Sequence, residues 1–208
     1  MNESNTPPVR FYFDFGSPNA YLSHLVIPGI EQRTGAKFEY VPVLLGGIFK
    51  ATSNAAPSVT YGGVRNKLEY QQLETERFVK RHGITAYRFN PDFPINTLFL
   101  MRGAIYAQSQ GPDVFTRYVE EMYRHMWAEP KKMDDPETVG AALAESGLDA
   151  AAFLDGTQSH EVKQQLIANT ERAVETGVFG SPSFTVGCEL FFGKNTLGEI
   201  EAEIVAQA

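Results

Sequence analysis

The 208-residue chain contains a single cysteine, Cys188. One sulfur excludes an intramolecular disulfide, a dithiol redox pair and any structural zinc site built from cysteines. Long hydrophobic runs are missing as well: none approaches the roughly 20 apolar residues that cross a bilayer. Positive charge is in short supply, with a net charge of −7, which argues against a nucleic-acid surface. Gly46-Gly47 and Gly62-Gly63 match neither a phosphate-binding loop nor a dinucleotide fingerprint. His24, His82, His125 and His160 lack metal-ligand spacing, so no metal site is expected. Met1 to Arg10 are polar with two prolines and no apolar stretch, unlike a secretion signal. The expected setting is therefore a reducing compartment, the cytoplasm, with no membrane segment and no nucleic-acid partner.

What is present suits a well-filled core. Apolar residues make up 43% of the chain and aromatics 12%, enough for one domain carrying a large insertion. Val9, Phe11, Phe13 and Phe15 alternate as a strand, and Tyr21, Leu22, Leu25 and Val26 lie on one side of a following helix that Pro28-Gly29 should kink or break. Phe38, Tyr40, Val41 and Val43 read as a second strand. From Leu44 to about Gly177 the spacings are helical, as in Phe115, Tyr118, Val119, Met122 and Met126, or Val162, Leu166, Thr170 and Ala173. Asp113 after Pro112 and Asp135 before Pro136 are helix-start signals. Ser183 to Val186 and Leu190 to Phe192 then read as short strands around a Gly187-Cys188 turn, and Leu197, Ile200 and Ile204 as a last helix. Only the N-terminal tail reads as linker.

Ser17 stands where the first strand gives way to the first helix. Gly16 ends the apolar run, Ser17 takes the N-cap and Pro18 the first helical position. A hydroxyl and unpaired N–H groups at the positive end of a helix stabilise an anion such as a thiolate. Disulfide oxidoreductases place a Cys-x-x-Cys pair there, whereas this chain has Ser17-Pro18-Asn19-Ala20. The place suits a sulfur anion that the chain does not itself supply; an ordinary N-cap is the plainer alternative. Gly180-Ser181-Pro182-Ser183, just before the third strand, is a candidate cis-proline turn. Such a turn would leave the Ser181 backbone to pair with an extended peptide. The expected fold is α/β: a thioredoxin-like sheet, β-α-β plus β-β-α, over residues 9–44 and 178–208, with an all-helical insertion over 45–177.

Five blocks in order carry a resemblance. They are Phe13-Asp14-Phe15-Gly16-Ser17-Pro18-Asn19-Ala20-Tyr21-Leu22, the run from Leu44 through Lys50 to Asn54, Phe89 to Thr97 with Phe93 in it, Met126-Trp127-Ala128-Glu129-Pro130, and Gly177 to Pro182. On these the chain resembles the 2-hydroxychromene-2-carboxylate isomerases, relatives of kappa-class glutathione transferases within the disulfide-oxidase branch of thioredoxin folds. The resemblance implies a glutathione-dependent isomerase acting on small aromatic carboxylates by transient thiol addition, giving a trans-o-hydroxybenzylidenepyruvate, and a homodimer. It gives Ser17 the role of orienting the glutathione sulfur. Lys50, Asn54 and Phe93 match positions lining the substrate or glutathione pocket; a solvated lysine, a turn asparagine and a core phenylalanine are the structural alternatives.

Glutathione is then expected against Ser17, Ser181 and Pro182, and along Phe192, Gly193, Lys194, Asn195 and Thr196. The chain departs from the family in this last stretch, because Asn195 and Thr196 occupy the places of an Asp-Arg pair that grips the γ-glutamyl end. Asp92 likewise stands where the family often has a histidine. Trp127 reads as core or rim packing, Lys131-Lys132 as a solvated pair and Cys188 as packing. A kappa-like transferase and a redox-inactive peptide-binding thioredoxin-fold protein are the competing readings.

Overall fold

A computed structural model describes residues 7–208; the part of the linker-like tail before residue 7 lies outside the described residues. The chain forms β1 (Val9–Phe13), α1 (Pro18–Thr34) and β2 (Phe38–Pro42). A helical block follows: α2 (Leu45–Thr52), α3 (Pro57–Thr60), α4 (Lys67–Arg81), α5 (Leu98–Gln110), α6 (Pro112–Trp127), α7 (Pro136–Glu145), α8 (Ala150–Gly156) and α9 (His160–Glu175). Then come β3 (Ser183–Val186), β4 (Glu189–Phe192), a 3-10 turn (Lys194–Thr196) and α10 (Leu197–Ala206). No described helix is long and apolar enough to cross a membrane.

The sheet order is β2-β1-β3-β4. β1 runs parallel to β2, with Phe13 beside Pro42, and antiparallel to β3, with Tyr12 beside Ser183. This register gathers three chain segments at one end of the sheet: the exit of β1, the exit of β2 and the entry to β3. Strand alternation sends Val9, Phe11 and Phe13, with Phe184 and Val186, into the larger core that also takes residues of α1 and α10. Phe11 stacks on Phe184 at 5.0 Å between ring centroids. Full burial of such a ring contributes about 2–3 kcal/mol. Tyr12 points to the opposite face, where Val43, Ile48 of α2, Ala173 of α9 and Val178 cover it. The first and last helices of the block thus pack on the sheet itself.

One local expectation changes in part. α1 continues through Pro28 without a break. The lost backbone bond is outweighed by the turns on either side, which bury Ile27 and Ile30. The helix ends at Gly35, whose φ of 75° carries its N–H back to the Glu31 carbonyl at 2.8 Å. The helix-start signal at Pro112-Asp113 holds: Pro112 takes the first helical position of α6 after Gly111, and Asp113 sits in the first turn.

Candidate active site

The turn after β1 is organised by Asp14, a fully buried carboxylate. Its Oδ1 accepts from the Gly16 N–H (2.8 Å) and the Thr97 hydroxyl (2.7 Å), and its Oδ2 from the Leu45 N–H (2.8 Å). One side chain therefore joins the turn to the starts of α2 and α5. Burial pushes the Asp14 carboxyl above its ordinary range, opposed by those three bonds. Gly16 sits in a crowded place: a Cβ there would press on Thr97 Cγ2 at 3.2 Å and on Asp14 Oδ1 at 3.3 Å. The Trp127 indole N–H donates to the Phe15 carbonyl at 2.7 Å, which fixes the turn from the helical side.

Ser17 caps α1 with extended backbone angles, and its Oγ accepts from the Ala20 N–H at 3.2 Å. The hydroxyl proton goes across to the Ser181 carbonyl at 2.8 Å. Ser17 is 4% exposed. The Ser181–Pro182 bond is cis, as the turn suggests. Ser181 Oγ accepts from the Asp14 N–H at 3.2 Å, so the two loops are tied twice. The Ser181 amide N–H finds no acceptor among the described residues, so the half of its backbone left for a guest is a donor. Behind α1, His24 stacks on Tyr123 at 5.0 Å and meets the Tyr40 hydroxyl at 2.8 Å; burial lowers its pKa to about 4.

Asn54 reaches the same loop, its amide donating to the Phe179 carbonyl at 2.8 Å. Phe179 and Phe192 form an exposed aromatic pair at 4.5 Å, and a Cβ at Gly180 would strike the Phe192 ring at 2.7 Å. The Gly193 N–H donates to the Pro182 carbonyl at 2.9 Å. Lys194, only 3% exposed, places its ammonium 2.6 Å from Glu74 Oε1 and 5.4 Å from the Phe78 ring centre, both on α4. The Asn195 amide donates to the same Glu74 oxygen at 2.7 Å, and the Thr196 hydroxyl returns to the Gly193 carbonyl. Asn195 thus faces an acid from another helix.

Ser17, Ser181, Pro182, Asn54 and the 192–196 stretch are linked by these contacts. Phe93 is joined less directly: its ring lies 5.9 Å from that of buried Trp127, beside a cis Phe93–Pro94 bond that the sequence reading did not anticipate. Lys50 makes none of these contacts and instead lines a cleft facing α9. Asp14, Thr97 and Glu74 hold this site together without having been singled out in the sequence. Asp14 did leave a signal, a carboxylate set between two phenylalanines just before a glycine; Glu74 left none.

Three minor expectations resolve differently or more fully. Cys188 is exposed on the β3–β4 turn, so it packs nothing. Lys131 pairs with Glu145 at 2.5 Å and Lys132 with Asp134 at 2.8 Å, so neither is simply solvated. His125, Glu129 and Glu145 bring possible ligand atoms within 4.8 Å of one another, but Arg124 and Lys131 already neutralise the two acids.

A serine-capped helix facing a cis-proline turn, on a β-α-β plus β-β-α sheet, defines a thioredoxin-fold protein. The chain belongs to the family of DSBA-like thioredoxin domains, which matches residues 8–205. It is 26% identical over 200 residues to a 2-hydroxychromene-2-carboxylate isomerase of Sphingobium xenophagum, covering 96% of this chain and 99% of that one. A solved 2-hydroxychromene-2-carboxylate isomerase superposes with a TM-score of 0.81 at 27% identity, over 95% of this chain and 94% of the other. The glutathione S-transferase kappa 1 of Caenorhabditis elegans is 24% identical, with 91% and 87% covered. The kinship with both groups, and the fold it implied, are borne out.

Proposed function

We propose that the protein is a glutathione-dependent isomerase of 2-hydroxychromene-2-carboxylate-type aromatic acids. The observation that carries this reading is the Ser17 hydroxyl at the start of α1, set against a Ser181 backbone whose N–H has no acceptor among the described residues. The residues fit a thiol tripeptide at its centre. Its thiol, when bound, supplies a nucleophile that adds to the substrate and later leaves it. Ser17 has one proton, now given to the Ser181 carbonyl, and that proton is the one available to a sulfur anion. Turning it frees the Ser181 carbonyl, so residue 181 then offers a donor and an acceptor to an extended backbone. A charge-assisted bond from Ser17 contributes roughly 1.5–3 kcal/mol, which lowers a thiol pKa by about one to two units.

The outer contacts suit the tripeptide's charged end. Glu74 Oε2 has no hydrogen-bond partner among the described residues and lies on the carboxylate that Asn195 and Lys194 hold. It supplies an acid for an ammonium where Asn195 replaces the family's aspartate. Phe179, Phe192 and Phe93 give aromatic surface for a flat substrate. The same proposal takes the protein as a cytoplasmic homodimer.

The test is spectrophotometric turnover of a hydroxychromene carboxylate with and without glutathione. Thiol-dependent turnover is expected, and Ser17→Ala should lower kcat/KM ten- to a hundredfold. Stoichiometric loss of thiol into a stable adduct would instead identify a kappa-like transferase. Neither turnover nor thiol binding would leave a redox-inactive peptide binder.

A further inference from the structure

A separate concave surface lies where α2, α5 and α9 meet, with a volume of about 380 Å³. That is within the range of small-ligand sites. Its walls are largely apolar. Leu44 and Leu98 form one side, and Leu166 with the exposed Ile167 form the other. No lining residue is hydrogen-bonded to Ser17, Ser181 or Pro182.

Three cations line this apolar surface, one from each helix: Lys50 from α2, Arg102 from α5 and Lys163 from α9. None of them has an ion-pair partner among the described residues. Glu171 is the one acid of the lining. Asp134, in an adjoining cleft that shares Arg102, is held by Lys132 and the Asn96 N–H. In a chain with a net charge of −7, three unpaired cations around apolar walls form a local site for an anion. Phosphate alone would gain nothing from the leucines, whereas an apolar body carrying a carboxylate uses both features.

We propose that this cleft binds a small organic monocarboxylate, distinct from the site at Ser17. The carboxylate lies among Lys50, Arg102 and Lys163, with the planar Arg102 guanidinium as the orienting donor. The apolar body rests on Leu98, Leu166 and Ile167. Thr170 is not part of the recognition, since its hydroxyl already donates to the Leu166 carbonyl and accepts from the Leu44 N–H. The inference does not depend on the isomerase reading.

Methyl-resolved NMR of the full chain, titrated with 1-naphthoate and separately with 1-naphthamide, tests it. Saturable shifts are expected at the methyls of Leu98, Leu166 and Ile167, with the acid binding about tenfold tighter than the amide. Arg102→Gln and Lys163→Gln should each weaken the acid several-fold, and Ser17→Ala should leave it unchanged. Equal binding of acid and amide, absence of saturable shifts at those methyls, indifference to both charge changes, or loss of the shifts in Ser17→Ala would each overturn the proposal.

Discussion

Asp14 and Glu74 are both carboxylates at the edge of the Ser17 site, yet they are held by opposite means. Asp14 lies fully inside and is met by neutral donors alone, two backbone N–H groups and a hydroxyl. Glu74 is partly exposed and is met by a buried ammonium. The first arrangement locks the turn, α2 and α5 into one geometry, because three donors would be stranded without it. The second fastens α4, a helix whose only buried residue is Phe78, to the stretch after β4. The inner side of the site is therefore built for fixed geometry and the outer side for adjustable attachment. On the function proposed above, a sulfur anion uses the former, and ligands of varied shape are served by the latter.

Removing each support separates the two sides. Asp14→Ala should cost about 4 kcal/mol in urea unfolding, because it leaves three buried donors unmet. If the cost were as small as a surface change, the inner side would not be rigid. Acid should act on the same side through His24. Its folded pKa of about 4 lies below the ordinary 6.5, so the unfolded chain binds more protons between those values. That contribution is fully present above pH 6.5 and lost as pH falls toward 4, about 3 kcal/mol in all. Urea midpoints at several pH values should show a shallower slope for His24→Phe than for the unaltered protein. On the outer side, Glu74→Gln should cost about 2 kcal/mol by leaving Lys194 without its counter-charge. Amide exchange should quicken in α4 while β1 and β3 stay protected, and added salt should narrow the gap between variant and parent. Ser17→Ala should be the mildest in stability, about 1 kcal/mol for the lost cap, measured by the same unfolding assay.

Ser17 and Pro182 were legible in the sequence because their signals are local. A serine-proline after a glycine starts a helix, and a serine-proline before a strand makes a turn, whatever lies around them. The first strand was legible for the same reason, since Val9, Phe11 and Phe13 alternate visibly. Pro28 does not break α1 because its local rule is outweighed by the burial of Ile27 and Ile30, a property of the assembled core. Glu74 was out of reach: it sits 120 residues before Lys194, and nothing near it marks it as anything but a helix-surface acid. Asp14 was seen within a motif, but its three donors come from residues 16, 45 and 97, which only the fold brings together. Lys50 and Asn54, four apart in sequence, face different neighbours because one points at α9 and the other at the cis-proline loop.

The one tryptophan of the chain is bonded through its ring nitrogen to the carbonyl of Phe15, two residues ahead of Ser17. Nature has in effect wired an optical gauge to the bend that carries Ser17. Emission from that lone indole should respond to movement of the bend, with no dye, no label and no second tryptophan to blur the signal.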